Sequence, residues 1–148
     1  MSFADTKTAF ETRYQTEMGI ARSGLPIQFA NAEFSRPERS EWTRFAMTEP
    51  DTASPGATGQ ITIGSATLAT RRYRGIAVVS IFVPERTDTV LVAAIADDVD
   101  AIFRGVTFSF GSSGNIRCRT PRLIELGRED DGFWHSQVQV DYERCIVG

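Results

Sequence analysis

Residues 71–104 read RRYRGIAVVSIFVPERTDTVLVAAIADDVDAIFR, and this stretch decides the fold. Its first half alternates along the chain with the two-residue period of a long β-strand. Pro84 has no backbone donor and is expected to end that strand. The second half repeats apolar residues with the 3.6-residue period of an amphipathic helix. We therefore expect the remaining chain to pair with this strand or to pack on this helix.

The predicted central strand has apolar residues on both of its faces. One face carries Tyr73, Ala77, Val79, Ile81 and Val83. The other face carries Ile76, Val78 and Phe82 together with Arg72, Arg74 and Ser80. A sheet that is covered by helices on one side normally has a polar second face. The apolar residues on this second face are thus expected either to lie under a loop or to contact another subunit.

The predicted helix begins after Thr87 or Thr89, either of which can cap it, and ends at Gly105. Its apolar positions form a wide stripe that is expected to face the core: Val90, Leu91, Ala94, Ile95, Val99, Ile102 and Phe103. The acidic residues Asp97, Asp98 and Asp100 fall mostly on the outer face. Since adjacent helical residues diverge by about 100°, a solvated acidic face is favoured over a metal site.

Residues 5–18 predict an N-terminal helix. Phe10, Tyr14 and Met18 are spaced four residues apart and form one apolar stripe. Gly19 follows directly and is expected to end the helix.

Several strands are predicted between the two helices. Residues 27–34 contain a first short strand, and residues 42–47, WTRFAM, form a second strand that pairs with the central one. Residues 48–60 contain two prolines, two glycines and several small polar residues, so a mobile loop is predicted there. Residues 61–64 and 66–69 are predicted to form a further strand that a Gly-Ser bend interrupts.

The end of the chain is predicted to be all strands. Residues 106–110 alternate strictly, and residues 116–126 form a strand that Pro121 must bend or place at a sheet edge. Residues 128–132 are typical of a hairpin turn that leads into a return strand over residues 133–145. This order of elements fits an α+β fold, with two helices packed on one face of a mainly antiparallel sheet, in a single domain spanning residues 1–148.

The composition excludes several classes of function. The 148 residues include 16 Lys and Arg against 19 Asp and Glu, so the chain lacks the basic excess that binding to a phosphate backbone needs. The N-terminus lacks the basic and apolar regions of a signal peptide, and no segment approaches the roughly 20 apolar residues of a membrane span. Cys118 and Cys145 are predicted to be free thiols of a protein made in a reducing cytosol.

No set of side chains in the sequence forms a catalytic, cofactor-binding or metal-binding pattern. His135 is the only histidine, and its neighbours on the same strand face, Gln137 and Gln139, are neither bases nor good metal ligands. We therefore predict a solvated histidine on a sheet face, a protein that is not an enzyme, and no cofactor.

Two charged clusters are candidates for protein contacts. Arg71, Arg72 and Arg74 suit salt bridges within the sheet or across a subunit contact. The acidic cluster at the predicted hairpin tip suits either a polar turn or a contact with a neighbouring protein. With the second strand face, these clusters make up the predicted subunit or tube interface: Arg44, Arg72, Arg74, Ile76, Val78, Phe82, Glu129, Asp130 and Asp131.

Several segments, in their order, resemble a family of small tail proteins of long-tailed bacteriophages and prophages, the tail terminator or tail completion proteins. These segments are WTRF at residues 42–45, RRYRGIAVVSIFVP at 71–84, IFRG at 102–105 and RTPRLIELGREDDGFWHSQVQVDY at 119–142. The Arg-Tyr-Arg-Gly strand that ends in Phe-Val-Pro and the hairpin that follows Gly127 are the most distinctive parts.

The resemblance implies an α+β subunit that forms a ring with copies of itself, typically six-fold, at the head-proximal end of a virion tail assembled in the host cytoplasm. Such a ring caps the tail tube protein, ends tube polymerisation and joins a head-completion or neck protein. DNA passes through it without sequence-specific binding, and no membrane is involved. Another neck component, such as a head-completion or stopper protein, stays open as an alternative. A small ligand-binding domain or enzyme that uses His135 is the alternative from another class.

Overall fold

The computed structural model describes residues 3–30, 32–49, 58–63, 66–85, 89–108, 114–128 and 132–147 of the chain. Within these ranges the elements, in chain order, are α1 (Phe3–Ala21), β1 (Ile27–Phe29), β2 (Trp42–Thr48), β3 (Thr58–Ile63), β4 (Ala66–Pro84), α2 (Thr89–Phe103), β5 (Thr107–Phe108), β6 (Gly114–Cys118), β7 (Arg122–Arg128) and β8 (Phe133–Val147). The strand and the helix predicted from residues 71–104 are confirmed as β4 and α2, and Pro84 ends β4.

β4 and β8 form the centre of an eight-stranded sheet and pair from Thr70 opposite Val147 to Pro84 opposite Phe133. The strand order is β1, β2, β4, β8, β6, β5. In addition, β3 pairs with the first part of β4, and β7 pairs with the first part of β8. All of these pairs are antiparallel except β1 with β2. The predicted α+β fold with a mainly antiparallel sheet is therefore confirmed.

The two helices pack on one face of this sheet. Phe10 of α1 lies against Tyr142 of β8, with 4.8 Å between the ring centroids. Tyr14, also on α1, stacks on Phe45 of β2 at 5.4 Å, and its hydroxyl lies 2.8 Å from the hydroxyl of Thr43. Burial of these rings removes their apolar surface from water, which is the main stabilising term of such a core. The apolar stripe predicted for the first helix is confirmed.

Polar contacts tie the margins of the two helices together. The guanidinium of Arg13 donates twice to the carbonyl oxygen of Ile102, at 3.0 and 2.8 Å. This carbonyl belongs to the last turn of α2, where no backbone donor within the helix remains. Arg22, just after α1, donates to the carboxylate of Asp98 at 2.6 Å. α1 is thus held to α2 by specific hydrogen bonds as well as by apolar packing.

Two predictions about the helices are wrong in detail. Val90 was expected in the buried stripe of α2 but is 66% exposed. It lies about 140° around the helix from the fully buried Ile95, whereas Val92 lies only about 60° away and is buried. In α1, the helix does not end at Gly19, because the amide of Arg22 still donates to the carbonyl oxygen of Met18 at 2.7 Å. α1 continues to Ala21 instead.

The strands also differ in extent from the prediction. The predicted loop at 48–60 is too long, since β2 includes Thr48 and β3 begins at Thr58; residues 50–57 lie outside the described residues. The segment predicted as one interrupted strand is a pair of antiparallel strands, in which Ile63 lies opposite Ala66. Because β4 starts at Ala66, the second strand of this pair runs directly into the central strand.

Pro121 divides the predicted strand at 116–126 into β6 and β7. Both strands pair with the same edge of β8, and the amide of Arg119 donates to the carbonyl oxygen of Asp141 at 2.9 Å between them. The chain therefore follows β8 through the break, and the expected bend at the proline is confirmed.

Candidate assembly surfaces

The face of the sheet opposite the helices is here called the second face. A closed cluster of aromatic side chains covers one part of it. Phe82 lies between two rings: the indole of Trp42 stacks on it at 4.1 Å and the imidazole of His135 at 4.3 Å. Phe34, from the segment before β2, packs against Trp42 at 5.4 Å. Phe133 completes the cluster, and Phe82 is only 4% exposed. Of the two alternatives that the sequence left open for Phe82, burial under the chain's own loop is the one observed.

The placement of His135 corrects a prediction. It was expected to be solvated on a sheet face, but it is buried. The register places His135 directly opposite Phe82, so the aromatic cluster that covers Phe82 covers the imidazole as well. In the described part of the chain, no three His, Cys, Asp or Glu side chains are grouped closely enough to hold a metal ion.

The middle of the second face is open and mixed in character. Ile76 and Val78 are half-buried there, opposite Asp141 and Gln139 of β8. Arg44 is exposed on the same face, with its guanidinium 5.1 Å from the centre of the Phe82 ring. The structure therefore brings Arg44, Ile76 and Val78 of the predicted interface together on one surface.

A network of charged side chains lies next to this surface. Glu143 accepts a hydrogen bond from Arg119 at 3.2 Å and pairs with Arg74 at 3.8 Å. Arg122 lies 3.4 Å from the carboxylate of Asp141. The side chains of Arg74, Arg119 and Arg122 are each at least 60% exposed, so these pairs add little to stability. They provide instead a charged rim that a partner could meet.

The remaining residues of the predicted interface cannot be placed on this surface. The backbone of Arg72 lies in β4, opposite Cys145 of β8, and its side chain lies outside the described residues. The acidic hairpin tip, Glu129, Asp130 and Asp131, also lies outside them. The hairpin itself is confirmed, since Arg128 of β7 lies opposite Trp134 of β8.

β7 forms an apolar edge that the sequence analysis did not identify. Three large apolar side chains are exposed on it: Leu123 is 48%, Ile124 36% and Leu126 51% exposed. β7 pairs with β8 on one side, and in the described part of the chain no strand pairs with its other side. Exposed apolar residues on an open strand edge are typical of a contact with another chain. The run LIEL was the available signal, because it lacks the alternation of a half-buried strand.

A buried ion pair was also missed. The guanidinium of Arg144 donates to both carboxylate oxygens of Glu49, at 2.6 and 3.1 Å, and the hydroxyl of Tyr142 donates to the same carboxylate at 3.1 Å. The side chains of Arg144 and Glu49 are only 5% and 2% exposed. The ring of Tyr73 lies 4.1 Å from the guanidinium and covers it. Burial, the carboxylate of Glu49 and the hydrogen bond to it together raise the pKa of Tyr142 well above its usual range. The phenol is therefore held as a neutral donor.

Cys118 is confirmed as a free thiol and is buried in the main apolar core. Burial raises its pKa from 9.0 to about 12, with the charge of Arg13 acting in the opposite direction. A thiol of this kind is not a nucleophile at neutral pH, because the reactive form is the thiolate. Among the described residues, neither helix has the length and apolar character that crossing a membrane would require.

An α+β domain with an open apolar edge and a charged sheet face has the surface features that are typical of proteins that contact other proteins. The comparison with protein families agrees: a family model described as phage tail terminator protein matches residues 6–142. The chain belongs to the family of phage tail terminator proteins. It is therefore a structural phage protein, a component of the virion that interacts with tail and head components.

The comparison with solved structures supports the fold. One of them superimposes with a TM-score of 0.72, covers 97% of this chain and 95% of that chain, and is 21% identical in sequence. At this identity the likeness extends to the fold alone. No curated protein matches the chain.

Proposed function

We propose that copies of this chain close into a ring, six-fold as is typical of the family, that caps the head-proximal end of a phage tail tube. The ring ends polymerisation of the tube and offers the surface that joins the head. The observation that carries this proposal is the exposed apolar edge of β7 in a member of the tail terminator family. A subunit that stayed alone would leave this edge in water, whereas a subunit in a ring covers it.

The second face supports a separate contact, with the tube or with the head. Its open part combines the half-buried Ile76 and Val78 with the exposed Arg44 and the charged rim around Glu143. Interfaces between separately folded proteins have this mixed composition, with apolar residues at the centre and polar ones at the rim. We assign this surface to the tube or to the head, separate from the contact between subunits.

The charge of the chain supports free passage of DNA through the ring. With 16 basic and 19 acidic residues, the subunit has a net charge of −3. Binding to duplex DNA depends on many basic side chains that neutralise phosphates. A ring of acidic subunits guides DNA without holding it, and sequence-specific contacts are not needed.

The proposal is tested by the length of tail tubes. Tube protein of the same phage is polymerised with increasing amounts of this chain, and tube lengths are measured by electron microscopy. We expect the mean length to fall as the chain is added, and a ring to cap one end of each tube. Tubes of unchanged length would refute the proposal, and addition of the chain to filled heads instead of tubes would identify another neck component. Ile20→Lys, which changes a 76% exposed residue at the end of α1, is the matched control and should cap tubes normally.

A further inference from the structure

Four strands have an unpaired edge in the described part of the chain: β1, β3, β5 and β7. β1 and β5 have only three and two residues, so β3 and β7 are the edges long enough to pair with another chain, and these two lie on opposite sides of the sheet. β7 pairs with β8 on the side away from β4, since residues 134–139 of β8 pair with both strands at once. β3 lies on the other side of β4, because Thr70 of β4 pairs with Gly59 of β3 and with Val147 of β8. A subunit thus presents two different edges, which is what a heterologous contact needs.

The edge of β7 has only part of the protection that natural edge strands usually have, with Glu125 as the one charge in its middle. Charged side chains on an edge normally discourage pairing with another chain. Both terminal arginines of β7 are instead directed to their own subunit: Arg122 lies 3.4 Å from Asp141, and Arg128 lies 2.9 Å from Glu85. A β-bulge between Glu125 and Gly127 distorts the second half of the strand and leaves residues 122–125 in regular register with β8. The regular part of β7 is therefore available for pairing.

β3 is the complementary edge. Its sequence, TGQITI, contains neither a charge nor a proline. β8 pairs with β4 only from Thr70 onwards, so the first residues of β4, 66–69, pair with β3 alone. The β3–β4 hairpin therefore extends past the end of β8 by about 13 Å at the usual rise per residue. A strand that projects in this way can reach a neighbouring subunit.

The charges of β7 argue against pairing of β7 with a second β7. Antiparallel pairing of two copies centred on the strand would set Glu125 opposite Glu125, and Arg122 opposite Arg128. Like charges directly opposite each other destabilise a strand pair. Pairing of β7 with β3 has no such penalty, because the sequence of β3 contains no charged residue.

We infer that β7 of each copy pairs with β3 of the next copy, so that the sheets of neighbouring subunits join edge to edge around the ring. This inference rests on the ring proposed above and names its contact. The backbone hydrogen bonds of the added strand provide affinity, and the exposed side chains Leu123, Ile124 and Leu126 become covered. The contact is heterologous, so it repeats around a closed rotation.

Cross-linking tests the inference on the assembled protein. With Cys145→Ser as the background, Thr62→Cys in β3 is combined with Ile124→Cys or Glu125→Cys in β7, which covers both faces of the strand. After oxidation we expect a ladder of covalent oligomers up to the full ring from a double variant and none from the single variants. A β7–β7 contact centred on the strand would instead cross-link Glu125→Cys alone, and that result would overturn the inference.

A substitution series provides an independent measurement. Ile124→Lys adds a charge to the open edge and should raise the dissociation constant of the ring at least about tenfold. Ile20→Lys, the same change at a more exposed site, should leave the constant unchanged. Suppose that the wild-type chain forms a ring, that Ile124→Lys assembles equally well, and that neither double variant cross-links. The proposed contact between β7 and β3 is then wrong, but the proposed ring is still supported. If the wild-type chain forms no ring, alone or on tubes, both proposals fail.

Discussion

Replacing Arg144 by methionine is expected to destabilise the subunit by about 3–5 kcal/mol. Arg144 makes two hydrogen bonds to the carboxylate of Glu49, at 2.6 and 3.1 Å, and both side chains are almost fully buried. Without the guanidinium, the carboxylate stays buried with only the hydroxyl of Tyr142 as its observed side-chain donor. Removing one member of a buried pair costs more than the pair contributes, because the other charge is left uncompensated.

The loss of stability is measured by unfolding the protein in urea at neutral pH and monitoring the circular dichroism signal. For an m-value of about 2 kcal/mol/M, the midpoint should fall by roughly 2 M. Arg74→Met is the matched control, because Arg74 is 67% exposed and lies 3.8 Å from Glu143, so its loss should cost at most about 1 kcal/mol. The double variant Glu49→Leu with Arg144→Met should recover most of the stability, since apolar residues can replace a buried pair at little cost. Equal midpoints for Arg144→Met and Arg74→Met, or a double variant less stable than Arg144→Met, would refute this reasoning.

Four further predictions concern packing and burial at single positions. Phe82→Ala should lower the free energy of unfolding by about 3–5 kcal/mol, because Phe82 fills a closed cluster, whereas Val78→Ala on the open face should cost far less; urea midpoints compare the two. Burial raises the pKa of Cys118 from 9.0 to about 12, so the free energy of unfolding should be constant below pH 9 and fall above it, by up to about 1.4 kcal/mol per pH unit. Urea unfolding at a series of pH values measures this slope, and Cys118→Ala should reduce it. Gly75→Ala should destabilise by about 1–3 kcal/mol, since its Cβ would meet the Tyr142 ring and lie 2.8 Å from the Thr48 carbonyl oxygen. By contrast, Gly19→Ala in α1, where nothing lies within 4 Å, should raise the thermal midpoint.

The parts of the fold that depend on local periodicity could be predicted from the sequence. The alternation in residues 71–84 and the helical stripe at residues 89–103 placed β4, α2 and most of their buried residues correctly. The end of a helix is marked by weaker sequence signals. Gly19 predicted the wrong end of α1, because a glycine can also continue a helix at a cost of about 1 kcal/mol. Val90 was misassigned because nothing in the local sequence distinguishes an apolar residue on the exposed side of a helix from the apolar residues that are buried.

The candidate surfaces were harder to predict, because each depends on contacts between distant parts of the chain. Phe82 is covered through Phe34, from a segment with no periodicity of its own, so its burial could not be read from the strand. Glu49 and Arg144 are 95 residues apart, and nothing local to either residue indicates the pair. The open edge of β7 follows only from the topology, since an edge exists only once the neighbours of every strand are known.

The aromatic cluster around Phe82 also contains a tryptophan whose fluorescence can report on one face of the sheet. The chain has two tryptophans, and the sheet separates them: Trp42 lies in the cluster on the second face, whereas Trp134 packs against the core beneath the helices. Replacing either one by phenylalanine leaves a single emitter that reports on one side of the sheet. Fluorescence from Trp42 alone would then follow docking of a partner on the second face, while Trp134 alone would follow the integrity of the helical layer.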